Sequence, residues 1–413
     1  SSIVPNNSPP PTAFFVTMIG TPKNFAWILA VQFALALALL PSLVSADQTL
    51  KKFRPNYKAV LMADEVTGRV LFAKQEHLKV YPASLVKLMS VLLTFEAIEA
   101  GKTSLDDIVV TSTKASKIGG TQVFLKEGEE FTVQELLKAM IVRSANDATL
   151  AMAEHVSGNE DSFVRLMNQR AKELGMAHTE FHSPHGLPPS RGEKHNASTA
   201  YDLFLLARFI LHNHPQYLEW SAIEIDSFRA GTFQLVNTNR KLMRAYNGMD
   251  GMKTGYYRAA GFNLVSTAKR GEQRLISVVM GSPNVKWRSR ITSYLLDKGF
   301  NEYQTTELVE ADKVISQTVL VEDGQHKEVS LKTQISASLL LGPGEVDEVE
   351  LFYQLPEKVV APVEKGSMLG TLELRMGGKM MRQIPLVAVE GVPTQSFFVS
   401  VAKSIFSWSK GDN

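Results

Sequence analysis

The chain has 413 residues, with 44 Lys and Arg against 42 Asp and Glu, a net charge of +2, and no cysteine. Its composition, 44% hydrophobic, 8% aromatic and 21% charged, fits an ordinary globular protein of two or three domains and excludes a disordered, collagen-like or polytopic membrane chain. The missing cysteine excludes disulfides, thiolate nucleophiles, cysteine zinc sites and iron–sulfur ligation; the near-neutral charge gives no nucleic-acid footprint.

Residues 1–46 hold one charged side chain, Lys23. Phe25 to Leu40 is a 16-residue apolar run broken only by Gln32, followed by Pro41 and Val44-Ser45-Ala46. A basic residue, an apolar stretch and small residues before Asp47 describe a secretory signal peptide from Met18 to Ala46, with Ser1–Thr17 upstream of the natural start. The run falls short of the ~20 apolar residues of a spanning helix. An exported mature protein is therefore expected.

Residues 57–74 alternate as a β-hairpin turning at Thr67-Gly68. From Ser84 the pattern becomes helical, with a stripe of Leu85, Leu88, Met89, Leu92 and Phe95 ended by Gly101. A second helical region opens on a capping box, Thr132-x-x-Glu135, breaks near Ser144-Ala145-Asn146, resumes, and stops at Gly158. Helices are expected at 162–174 and 200–213, and strands at 262–269 and 274–280. Residues 47–301 thus read as a mixed α and β domain. Residues 302–395 are short Val/Leu/Thr-rich strands punctuated by Gly and Pro, a small all-β domain. In 396–413, Phe398, Val401, Ile405 and Trp408 share one helix face. That segment suits an amphipathic helix lying in a membrane interface; the alternative is a terminal helix docked on its own domain.

Three short elements carry chemistry, in order: Ser84-Leu85-Val86-Lys87, Ser144-Ala145-Asn146 and Lys253-Thr254-Gly255. A serine hydroxyl is a poor nucleophile and needs a base within reach. Ser and Lys three apart on a helix share a face, so Lys87 can reach Ser84. Free N–H groups in the first helical turn stabilise developing negative charge. Lys87 must act as a neutral amine, and burial or a second cation such as Lys253 lowers its pKa for that role. Ser-x-x-Lys recurs at Ser266, on an expected strand, and at Ser400 and Ser407, in the terminal helix; only Ser84 opens a buried-type helix. Ser-x-Asn recurs at Ser157 and Ser282, but Gly158 reads as a helix C-cap, which favours Ser144 and Asn146. Lys-Thr-Gly occurs once and fits a strand, with Gly255 allowing close approach of a substrate. His178, His182 and His185 have helical spacing for a metal, yet Pro184 and Gly186 argue against a helix there, and no metal or cofactor is expected.

This ordered set resembles the low-molecular-weight penicillin-binding proteins, the serine-type D-alanyl-D-alanine carboxypeptidases of the bacterial envelope. The likeness extends to Tyr81-Pro82-Ala83-Ser84, to Ser144-Ala145-Asn146-Asp147, to Pro184-His185-Gly186-Leu187 and to Asp250-Gly251-Met252-Lys253-Thr254-Gly255. It continues through Ala260–Val265, Ala361–Gly366 and Ile384–Ala388. The resemblance implies an α+β fold: a serine β-lactamase/transpeptidase-like catalytic domain of antiparallel sheet and helices, a small all-β domain and the C-terminal amphipathic helix. It implies that Ser84 attacks the bond between the last two D-alanines of a peptidoglycan stem peptide, with Lys87 as base. Ser144 and Asn146 position the substrate and relay the proton; Lys253, Thr254, Gly255, Tyr256 and, by its spacing from Lys253, Arg288 surround the terminal carboxylate. The N–H groups of Ser84 and Tyr256 form the oxyanion hole. β-Lactam antibiotics become covalent inhibitors, and the protein sits on the periplasmic face of the cytoplasmic membrane. One departure stands out: many members carry Lys-Thr-Gly-x-Thr, and position 257 here is Tyr.

Two other hydrolases compete. A class A β-lactamase needs a Glu to activate the deacylating water, and no Glu-x-x-x-Asn lies between Ser144 and Lys253. A D,D-endopeptidase of cross-links shares the motifs but usually lacks a second domain.

Overall fold

The computed structural model describes Phe53 and residues 56–395; the expected leader, 1–46, and tail, 396–413, lie outside the described residues. Ala59–Asp64 pairs antiparallel with Val70–Lys74, as the alternation predicts. Asp64 Oδ2 closes the turn, accepting from Thr67 N at 2.9 Å. Three longer strands, Met249–Tyr257, Gly261–Arg270 and Gln273–Ser282, complete a five-stranded antiparallel sheet. Gln273–Ser282 lies at its centre and Met249–Tyr257 at one edge.

Both faces of the sheet are covered, so Ala59–Asp64 is buried throughout. Ala59, Leu61 and Ala63 join Val265, Ile276, Val278 and the helices in the main core. The intervening Val60 and Met62 point to the opposite face, as strand periodicity requires. There Gly299 of the helix Val285–Glu302 comes up against Met62 and Leu275. That helix has no counterpart among the sequence expectations. Its start is fixed by Asn284, whose Oδ1 accepts from Trp287 N at 2.9 Å.

The helical layer on the main-core face comes from the segment between the hairpin and the Met249 strand. The helix Lys87–Glu99 runs through its middle with ten of its thirteen side chains buried. The capping box forms as expected: Thr132 Oγ1 accepts from Glu135 N at 3.2 Å and Glu135 Oε2 from Thr132 N at 2.9 Å. The expected break is a π-helical turn, Ala139–Arg143, ending at Ser144; the helix Asn146–Ser157 follows and is capped by Gly158 at φ 82°. Helices Glu160–Glu173 and Ala200–Asn213 complete the layer.

Among the described residues from Gln304 to Gln395 the regular structure is eight strands and one short 3-10 turn. A six-stranded sheet and the pair Gln304–Val309 with Ala337–Leu341 enclose a separate core of Val319, Val329, Leu331, Leu372, Leu374, Ile384 and Leu386. The first hairpin reaches this lobe: Arg69 Nη1 donates to Glu345 at 2.8 Å and to Leu340 O at 3.2 Å. Among the described residues no helix is long and apolar enough to cross a membrane.

Candidate active site

Ser84 lies on a 3-10 turn, Ala83–Val86, and the α-helix itself begins at Lys87. This adjusts the expectation of a Ser84 inside the first α-turn and tightens the pair, because side chains at i and i+3 eclipse on a 3-10 turn. Lys87 Nζ lies 3.2 Å from Ser84 Oγ. Ala83 holds φ at 52°, a conformation costly for a residue with a Cβ. Its surroundings impose it: Asn263 Nδ2 donates to Tyr81 O at 2.9 Å and Pro82 O at 3.1 Å. The Met249 strand also passes so close that a Cβ on Gly255 would stand 2.6 Å from Pro82 O and 3.1 Å from Ser84 N. Glycine at 255 therefore lets the edge strand run alongside the serine.

Ser144 sits at φ 66° where the π-turn ends, and Asn146 opens the next helix. That junction turns both side chains toward the lysines. Lys87 Nζ donates to Asn146 Oδ1 at 2.7 Å, and Lys253 Nζ donates to Ser144 Oγ at 2.7 Å. Asn146 Nδ2 donates to Gly119 O at 2.9 Å, which fixes the way its amide faces. The competing motifs take structural places. Ser157 Oγ donates to Ala153 O, and Asn159 caps the helix after it. Ser266 Oγ meets Ser277 across the sheet. Ser400 and Ser407 lie outside the described residues.

Lys87 is fully buried, Lys253 is 2% exposed and Arg288 5%. Burial, then the charge of Lys253, pushes the Lys87 amine well below its ordinary pKa, against a smaller opposing pull from Asp147. Burial and then Arg288 lower Lys253 to about 7. Burial brings Arg288 down to about 10. A cleft of about 490 Å³ is lined by Ser84, Ser144, Thr254, Gly255, Tyr256 and Arg288 among others. Among the described residues Arg288 Nε has no hydrogen-bond partner there. A buried cation with an open donor, beside a second buried cation, is a place for an incoming carboxylate.

Six of the nine residues singled out in the sequence line this cleft, and the other three, Lys87, Asn146 and Lys253, are joined to it through the Lys87–Ser84, Lys87–Asn146 and Lys253–Ser144 contacts. The histidines do not converge. His178 lies against His77, His182 against Glu180, and His185 against Glu160. His185 nevertheless belongs to the site through its backbone, since Lys87 Nζ donates to His185 O at 2.6 Å.

Residues 48–284 match the family described as D-alanyl-D-alanine carboxypeptidase, and residues 303–394 the family described as penicillin-binding protein 5, C-terminal domain. The chain belongs to the D-alanyl-D-alanine carboxypeptidase family. The D-alanyl-D-alanine carboxypeptidase DacF of Bacillus subtilis is 37% identical over 357 residues, covering 86% of this chain and 90% of that relative. Penicillin-binding protein 5 of Haemophilus influenzae superposes with a TM-score of 0.67 at 31% identity, covering 82% of this chain and 98% of that structure. Penicillin-binding protein D2 of Listeria monocytogenes, solved in an ampicillin-bound form, superposes with a TM-score of 0.55 at 31% identity, over 59% of this chain and 97% of that one. The two consecutive family matches favour the carboxypeptidase over the endopeptidase and β-lactamase alternatives.

At position 257, where the sequence departs from Lys-Thr-Gly-x-Thr, the Tyr257 hydroxyl is engaged by a histidine. It lies 2.8 Å from His195 Nδ1, and His195 stacks on Tyr81 with ring centroids 4.1 Å apart. Sequence reasoning gave no part to Thr238, whose Oγ1 accepts from Thr254 Oγ1 at 2.7 Å, and no motif marks it. Asn263 was named only within the family stretch Ala260–Val265; its pairing opposite Gly255 is what puts it behind the serine turn.

Proposed function

We propose that this D-alanyl-D-alanine carboxypeptidase works through an acyl-enzyme on Ser84. Neutral Lys87 takes the hydroxyl proton as Ser84 Oγ attacks the carbonyl carbon of the penultimate D-alanine. The backbone N–H groups of Ser84 and Tyr256 hold the oxyanion. The tetrahedral adduct collapses, breaking the C–N bond, and the leaving D-alanine takes up a proton through Ser144, which Lys253 Nζ holds. Lys253, Thr254 and Arg288 receive the terminal carboxylate. Water then attacks the ester, releases the shortened stem peptide and returns the proton to Ser84. The observation that carries this reading is the fully buried Lys87 amine 3.2 Å from Ser84 Oγ, where its charged form is disfavoured.

A β-lactam ring presents the same scissile amide, and without a glutamate to activate water its acyl-enzyme persists. Residues 47–301 are the catalytic domain and 302–395 a stand-off pedestal that lifts it from the membrane. Residues 1–46 direct export, and 396–413 lay an amphipathic helix on the periplasmic face of the cytoplasmic membrane.

Fluorescent-penicillin labelling, with release of D-alanine from a stem pentapeptide, tests the reading. Wild type labels and releases D-alanine; Ser84→Ala does neither. Labelling retained in Ser84→Ala overturns the assignment.

A further inference from the structure

We propose that Glu160 is a positioning residue for the general base Lys87, acting through His185; this rests on the acyl-enzyme reading above. A neutral amine has two N–H groups and one lone pair. Two acceptors that cannot donate stand within reach of Lys87 Nζ, His185 O at 2.6 Å and Asn146 Oδ1 at 2.7 Å. With both N–H groups given to them, the lone pair is left for the Ser84 hydroxyl at 3.2 Å. The aim of the base therefore depends on where those two oxygens are held.

Asn146 Oδ1 is held by the amide's bond to Gly119 O. His185 O is held by its own ring. His185 Nδ1 accepts from Leu187 N at 3.1 Å, so Nε2 carries the hydrogen. Nε2 lies 3.4 Å from Glu160 Oε1. Glu160 Oε2 is in turn 2.6 Å from Lys114 Nζ. Lys114 belongs to the short helix Thr113–Lys117, whose C-cap Ile118 leads into Gly119. One segment of chain thus braces both oxygens that orient Lys87, directly at Gly119 and through Glu160 and His185 at Lys114. Glu160 and His185 line a cavity of about 750 Å³ that shares no lining residue with the Ser84 cleft. Glu160 therefore acts without touching substrate. Gly186 helps to fix the loop: at φ +79° it lies against the carbonyl of Ala83, where a side chain would collide.

The test is the rate of Ser84 acylation by a fluorescent penicillin, with kcat and KM for a stem pentapeptide, in Glu160→Ala, Glu160→Gln, His185→Ala and the Ala/Ala double variant. Misaiming the base lowers acylation and kcat about ten- to hundredfold, with KM within about twofold. Glu160→Gln keeps an oxygen for the His185 Nε2–H and recovers most of the rate. His185→Ala matches Glu160→Ala, and the double variant loses no more than either alone, since both cut one chain of contacts. Glu160→Ala also removes a carboxylate from a first helical turn, so unfolding midpoints are compared; His185→Ala leaves that turn intact. A wild-type rate in His185→Ala, a Gln variant as slow as the Ala variant, or losses that multiply in the double variant would each overturn the proposal. Failure of the acyl-enzyme reading is distinct, because it shows as a labelled Ser84→Ala.

Discussion

Lys253 Nζ donates to Ser144 Oγ at 2.7 Å, so a buried amine ties the strand that borders the cleft to the junction between two helices. That amine is lowered to about 7, chiefly by burial and then by Arg288. In the proposed mechanism carboxylate capture needs Lys253 charged, whereas Ser84 attack needs Lys87 neutral. The first falls as pH rises through about 7, and the second rises as pH passes the lowered value of Lys87. The expected kcat/KM for a stem pentapeptide, which reports the free enzyme, therefore declines above pH about 7. Lys253→Arg keeps its charge and moves that decline to higher pH. An unmoved descending limb in the Arg variant would assign it elsewhere.

The same burial makes Lys253 costly to the fold. A lysine whose folded value is about 7 binds fewer protons folded than unfolded as pH rises from there to its ordinary 10.5. Its penalty is thus full below about 7 and fades toward 10.5. Lys253→Met is expected to abolish activity yet stabilise the protein by roughly 1–4 kcal/mol at neutral pH. The gain shrinks in alkaline buffer. Denaturant unfolding at two pH values checks this; a variant less stable at both contradicts it.

Tyr257 offers a sharper test of the family pattern. Its hydroxyl is engaged with His195 Nδ1 at 2.8 Å, and burial, the largest cause, keeps the phenol protonated. Tyr257→Phe is expected to change kcat/KM by less than about threefold, the scale of one neutral hydrogen bond away from the reacting atoms. Tyr257→Thr restores the usual hydroxyl and lowers KM. A large kcat loss in Tyr257→Phe would place the phenol in the chemistry.

Arg69 joins the two lobes. Its guanidinium holds Glu345 below the usual carboxylate range through paired hydrogen bonds. Both side chains are about one-fifth exposed, so the pair contributes about 1 kcal/mol after solvent screening. Arg69→Ala is expected to leave penicillin acylation within about twofold of wild type, since the contacts of Arg69 are with Leu340, Glu345 and Tyr303 and with none of the nine site residues. Limited proteolysis between Glu302 and Gln304, where helix gives way to strand, should quicken. An unchanged digestion rate would show that the lobes are held together by other contacts.

The sequence made the hairpin, the capping box, the break at Ser144 and the change to β structure after the catalytic region legible, because each rests on local rules. Alternation marks a strand, Thr132 and Glu135 bond across three residues, and Gly158 ends a helix at positive φ. The convergence of Ser84, Ser144 and Lys253 was legible only as an ordered set of motifs; the distances come from the sheet bringing Gly255 beside Pro82. What stayed hidden is non-local. The helix Val285–Glu302 gave no expectation, though Asn284 is a fair N-cap and Ile291 and Leu295 share a face. Thr238 and the His185 carbonyl also went unread. A backbone oxygen has no residue-type signature, and a lone threonine in a loop carries no pattern.

Lys87 is at once the proposed base and a member of the folded interior, flanked by Leu85, Val86, Leu88 and Met89, none of which is exposed. Its reactivity is therefore a property of the packed state alone. In a loosened chain the same amine is hydrated, returns to the ordinary lysine range and stays protonated at neutral pH. The hydrolase disarms itself as soon as its interior opens, so a damaged copy becomes inert instead of promiscuous. Labelling of Ser84 then serves as a count of intact molecules.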